Sequence, residues 1–120
     1  MLELETLDHL QTLIYHTDAT KLPEPNELAR LLGKVRSKGV VSLESGWLTQ
    51  LTHAVEQASC CWQHGFVAGE VAYSDAHELP AWPAASDIAA WAERESHTYS
   101  TEHFQRRWYT AGWLAGWGDH

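Results

Sequence analysis

The sequence predicts an all-α fold, a compact bundle of four to five helices around one long central helix at about residues 44–73. Apolar residues recur at three- and four-residue spacing in segment after segment. No segment alternates apolar and polar residues with the period of two that a half-buried strand shows. From Glu44 to Tyr73 no proline interrupts the helical pattern. With 120 residues, 44% of them hydrophobic, the chain can bury a core of its own, and a single domain over residues 1–120 is expected.

Taken in order, residues 2–16 form a helix with Leu7, Leu10, Leu13 and Ile14 on one face. Thr17 to Pro25, with Pro23 and Pro25, is a stiff connection, and Pro25 is suited to open a second helix. Residues 26–38 place Leu28, Leu31, Leu32 and Val35 together, with basic side chains toward the C-terminal end and Gly39 as the cap. Val40 and Val41 make an extended link, and Ser42 or Ser45 caps the long helix. Two stripes run along that helix. The large one is Leu48, Val55, Trp62 and Phe66; the small one is Leu51, Ala54, Ala58, Cys61, Gly65, Ala68 and Ala72. A small stripe permits close approach of another helix.

Residues 74–85, with Pro80 and Pro83 flanking Ala81 and Trp82, read as a loop that leaves Trp82 partly exposed. Ser86 or Asp87 caps a short helix that ends near Glu95 with Ile88 and Trp91 inward, and residues 96–101 break the chain again. A last helix at about 102–117 carries Phe104, Trp108, Ala111 and Ala115 along one side.

One element repeats. Gly65-Phe-Val-Ala-Gly69 and Gly112-Trp-Leu-Ala-Gly116 each set two glycines one helical turn apart. Glycine costs about 1 kcal/mol inside a helix, so packing must compensate for it. The expected compensation is a crossing of the two helices at Gly65, Gly69, Gly112 and Gly116, with Trp and Phe rings covering the notch. A homodimer through one glycine face is the alternative use of the same pattern.

The residues His64-Gly65-Phe66-Val67-Ala68-Gly69 and Trp108-Tyr-Thr-Ala-Gly-Trp113, joined by a proline-containing connection, make the second half of the chain resemble ribosome modulation factor and its small phage and plasmid relatives. The resemblance implies a helix pair and an origin on a mobile element.

Charge and tryptophan content bear on function. Sixteen acids face eight Lys and Arg, a net charge of −8, which argues against direct nucleic-acid binding. The charge is uneven: residues 26–39 hold Arg30, Lys34, Arg36 and Lys38 against Glu27, whereas residues 40–105 hold nine acids against Arg94. Seven tryptophans exceed what so small a core absorbs, and tryptophan is enriched at interface hot spots. The adjacent Cys60 and Cys61 cannot form a relaxed disulfide with each other, which fits a reducing compartment. An acidic N-terminus unlike a signal peptide, and no apolar run of the ~18 residues a spanning helix needs, lead to the expectation of a cytoplasmic protein.

His53, Cys60 and His64 share a face of the long helix, but His53 and Cys60 lie about 10 Å apart along its axis, so one metal ion is not expected to take all three. Glu93, Glu95 and Glu102 near His97 and His103 can be drawn as an acid/base set, although no motif of a known catalytic class is present. No cofactor is expected. The sequence thus points to a small acidic, non-enzymatic protein-binding inhibitor or adaptor, acting on a basic nucleic-acid-binding complex in the manner of anti-CRISPR or similar anti-defence proteins. Trp82, Trp91, Trp117, Glu78, Asp87, Glu93 and Glu95, with the basic Arg30, Lys34, Arg36 and Lys38, are its candidate contact residues. A ribosome-associated factor using the basic cluster, and a metal- or cysteine-dependent enzyme, are the alternatives.

Overall fold

A computed structural model describes residues 2–37 and 45–120, the side chains of 2–6, 37 and 45–48 excepted. It is an all-α bundle of five helices: α1 (Leu2–Tyr15), α2 (Pro25–Ser37), α3 (Ser45–Ala76), α4 (Ala85–Tyr99) and α5 (His103–Gly118), with a 3₁₀ turn at Ala19–Lys21. The 32 residues of α3 span about 48 Å at the α-helical rise, and α3 sets the long axis of a molecule measuring 58 × 26 × 19 Å.

The N-terminal half of α3 supports α1 and α2. Leu7, Leu10 and Ile14 meet Leu28, Leu31, Leu32 and Val35 over Leu51, Ala54, Val55, Ala58 and Cys61, with Trp108 buried at the base. These are the apolar faces that the spacing predicts. Pro25 opens α2 as expected, whereas Lys38, Gly39 and the link to Ser42 lie outside the described residues.

Three boundaries move. The long helix continues to Ala76, three residues past Tyr73, because no proline or glycine stops it before the turn at His77. The expected break at residues 96–101 shrinks to Ser100–Glu102, since α4 runs on to Tyr99. Within it Ser96 is buried and its hydroxyl donates to the Glu93 carbonyl, so the residue read as a breaker is absorbed into the helix. At the other end α4 begins at Ala85, and Asp87 is not its cap residue; its carboxylate accepts the backbone N–H of Ala84 at 3.1 Å from the first turn.

The contact between α3 and α5 is the most extensive in the molecule, and it is parallel. Gly65 faces Tyr109 and Trp113, and Gly69, one turn on, faces Trp113 and Trp117. A Cβ built on any of the four glycines would come closer than 3.0 Å to the opposing backbone: Gly65 to the Tyr109 carbonyl, Gly69 to Trp113, Gly112 to Trp62 and Gly116 to Phe66. Each glycine therefore meets the carbonyl three residues before its counterpart, an internal two-fold pattern. The Cα hydrogen in the Cβ direction points at that oxygen, the arrangement of weak Cα–H···O contacts worth about 0.5–1 kcal/mol each. This is the expected glycine crossing. It also occupies the glycine face of α3. Trp62 and Phe66 stack on each other at 5.2 Å beside the seam.

Arg107, unremarked in the sequence, joins the halves. Its buried guanidinium donates to the carbonyls of Leu13, Ile14, Tyr15 and Thr17, closing the C-terminal end of α1 where the helix dipole is negative. Burial pushes its pKa down, with the nearby Asp18 acting in the opposite direction.

Three substitutions test these contacts by thermal and denaturant unfolding. Gly112→Ala gains helix propensity yet is expected to lose about 2–4 kcal/mol, because backbone must move to admit the methyl group. Gly33→Ala on α2, where nothing lies within 4 Å of the added carbon, is expected to gain about 0.5–1 kcal/mol. Arg107→Met is expected to cost about 3 kcal/mol by leaving the end carbonyls of α1 without donors.

Candidate functional site

The four-residue spacing that places the glycines continues past them. After Gly65 and Gly69 comes Tyr73; after Gly112 and Gly116 comes His120. Tyr73 and His120 stack face to face, with ring centroids 4.0 Å apart. Backbone contact thus gives way to ring contact one turn beyond the glycines.

A cluster of rings grows from this point. Trp117 touches Tyr73 at 5.3 Å, Trp82 at 5.7 Å and Trp91 at 6.2 Å, and lies parallel to Trp113 at 5.7 Å. Trp82 also meets Tyr73 and His77 edge-on. Trp113 is fully buried, Trp91 and Trp117 are half-buried, and Trp82 is 53% exposed on its proline-flanked loop. The rings at fixed distances form a preorganised apolar surface.

A groove of about 410 Å³ opens beside the cluster, between α3 and α4. Both helices pack on α5 and meet each other away from the groove, where Tyr99 of α4 hydrogen-bonds His64 of α3. Ala68, Ala72 and Ala76 make one wall, Trp91 the other and Trp113 the floor, while Val71 and Leu79 stand exposed on the lip. Asp75, Arg94 and Glu95 supply the polar rim, and the Glu95 carboxylate accepts the Trp113 indole N–H. The surrounding segments, residues 66–95 and 108–120, carry Glu70, Asp75, Glu78, Asp87, Glu93, Glu95 and Asp119 against Arg94. The arrangement suits apolar burial by a partner approaching with positive charge.

The structure therefore unites Trp82, Trp91, Trp117 and Glu95 at one end of the molecule. Glu78 follows on the exposed loop after α3. Asp87 is engaged with the Ala84 backbone. Glu93 faces elsewhere, into a polar cleft of about 420 Å³ with His97, His103, Arg106 and Arg107. There Arg106 donates to Nδ1 of His97 at 2.8 Å, which leaves the imidazole proton on Nε2, 4.0 Å from the Glu93 carboxylate. The acid/base set drawn from the sequence is thus divided: Glu95 lines the groove and Glu102 a separate hollow with Tyr15 and Phe104.

The basic cluster is remote from the rings. Arg30 pairs with Glu27, and Arg36 donates to the Thr52 hydroxyl at 2.6 Å. Thr52 and Tyr73 are 21 residues apart on α3, about 32 Å along its axis. Lys34 lies exposed on α2, and Lys38 is outside the described residues. Tyr73, His77, Val71 and Leu79 were not singled out by composition or motif; the continuing spacing of four from Gly65 was the available signal for Tyr73.

His53, Cys60 and His64 all lie exposed on α3, and among the described residues no group of three or more His, Cys, Asp or Glu is placed to hold a metal ion. Nor is any helix among them long and apolar enough to cross a membrane.

Desolvation raises the pKa of Tyr99 and Tyr109 above 10.0 and of Cys61 above 9.0, with the Cys61 thiol adding to the effect on Tyr99 and the Glu95 carboxylate to that on Tyr109. The stability these neutral groups contribute is complete below the unfolded-state values and is lost as pH rises through the higher folded-state values. In an alkaline titration, tyrosinate absorbance from Tyr99 and Tyr109 should therefore appear together with loss of helicity; full ionisation in a helical chain would contradict their burial. Comparison with protein-family models, with curated proteins and with solved structures finds no match to this chain.

Proposed function

We propose that this chain is a non-enzymatic protein-binding module whose α3–α4 groove, continuous with the tryptophan cluster, takes a basic amphipathic helix of a partner protein. The observation that carries this reading is the groove itself. Two helices lie on a third without closing on each other, and the space between them has small residues on one wall and tryptophan on the other wall and floor. A helix laid there buries its apolar face against Val71, Leu79, Trp91 and Trp113.

Charge decides the kind of helix. Asp75 and Glu95 on the rim and Glu78 on the adjoining loop, against Arg94, favour lysine and arginine flanking the apolar positions. Trp82 and Trp91 serve as anchors and the carboxylates as steering groups. Proteins that bind nucleic acid carry such basic surfaces. An inhibitor or adaptor that covers one of them, as counter-defence proteins of phages and plasmids do, is the role this chemistry fits.

A designed Lys/Leu amphipathic helical peptide is the appropriate probe, titrated into the full chain with tryptophan fluorescence as the readout. Saturable binding that weakens with salt is expected. Trp82→Ala and Leu79→Glu should each weaken binding about tenfold or more while leaving the melting temperature within a few degrees. Binding that ignores both substitutions, or binding of duplex DNA in place of the peptide, would contradict the proposal.

A further inference from the structure

Away from the groove, α3 and the end of α4 bring together two thiols, an imidazole and a phenol. Sγ of Cys60 lies 3.9 Å from Nε2 of His64, and Nδ1 of the same ring lies 2.8 Å from the Tyr99 hydroxyl. The Tyr99 ring stacks on Tyr109 at 4.3 Å, and the Cys61 thiol beside it is buried. Cys60 itself is exposed and lines an open hollow of about 280 Å³ with His53, Glu56 and Gln57. This is the order of groups that activates a nucleophile: a thiol, a base within reach of it, and a third group that holds the base.

The hydrogen-bond geometry accommodates proton transfer from the thiol to the ring. Moving the Cys60 proton to Nε2 makes an imidazolium with two donors. One donor faces the Cys60 thiolate and the other the Tyr99 oxygen. Both ring donors then have an acceptor. Glu56 in the same hollow and Glu102 before α5 add negative charge, and His53 is the further titratable group lining that hollow. A thiolate at Cys60 therefore depends on the imidazolium beside it.

We propose that Cys60 is a modification site, a nucleophilic thiol with His64 as its base and Tyr99 as the positioning residue for the imidazole, that captures low-molecular-mass disulfides as a mixed disulfide. The Cys60 thiolate attacks one sulfur of the incoming disulfide; the new S–S bond forms as the old one breaks. The departing thiolate carries away the electron pair and takes the proton held on His64. One protein thiol is oxidised and one half of the disulfide is reduced to a thiol. The mixed disulfide persists, because Cys61, the next residue on the same helix and buried, is not placed to displace it.

Oxidised glutathione, with mass mapping, and a chromogenic aromatic disulfide, for rates, test this on the full chain. One thiol should react fast and map to Cys60, the second only after denaturation, and Cys61→Ala should keep the fast reaction. His64→Gln, with helicity retained, should slow it about tenfold. Tyr99→Phe, which keeps the ring stacked on Tyr109, should slow it less and raise the pH of half-maximal rate. A His64→Gln rate equal to wild type, or a Cys60 rate no faster than that of free cysteine, would overturn the proposal.

Discussion

Four backbone carbonyls stand where four side chains would otherwise begin, and the rest of the molecule is arranged around that fact. A carbonyl oxygen in the Cβ position of Gly65, Gly69, Gly112 and Gly116 brings α3 and α5 into backbone contact. Larger residues would hold two helices 8–10 Å apart and leave their crossing angle to side-chain ridges. Here the alternation of glycine and carbonyl fixes direction and register together. A parallel pair requires the chain to return between its members, and α4 is that return. Since α5 occupies the close seat on α3, α4 is held on α5, and the gap between α3 and α4 becomes the groove. The proposed docking surface is thus a by-product of the glycine seam.

The same register explains the ring cluster. Beyond Gly69 and Gly116 the spacing of four reaches Tyr73 and His120, which stack. Trp113 and Trp117, one turn apart on α5, are placed by the seam against Gly69 and Tyr73. At the opposite end the restraint is electrostatic. Arg107 gathers the last carbonyls of α1, so the α1–α2 pair is tied to α5 by hydrogen bonds from a buried cation as well as by the leucine core.

Much of this was legible in the sequence because helices write their packing in spacing. Leu7, Leu10 and Ile14, then Leu28, Leu31, Leu32 and Val35, declare two buried faces, and the repeated glycine element declares a close crossing. The parallel sense of that crossing was not legible, since a glycine pair permits either direction until the opposing register is known. The run from Ser96 to Thr101 suggests a break, whereas the buried Ser96 turns its hydroxyl onto its own helix and α4 continues to Tyr99. Arg107 was missed because a cation that binds carbonyls has no partner of opposite charge to be paired with in the sequence. Of the candidate contact residues, the tryptophans converge because they follow the seam, while the basic residues of α2 sit far along α3 and belong to a different surface.

The groove and the ring cluster depend on the parallel backbone contact between α3 and α5, and nuclear Overhauser spectroscopy reads that contact directly. A Cβ on Gly65 would lie 2.8 Å from the Trp113 amide nitrogen, and one on Gly69 2.9 Å from that of Trp117. Strong cross-peaks are therefore expected from the Gly65 α-protons to the Trp113 amide and from the Gly69 α-protons to the Trp117 amide, advancing together along both helices. Absence of both, or cross-peaks that run in opposite directions along the two helices, would contradict the seam and the groove that depends on it.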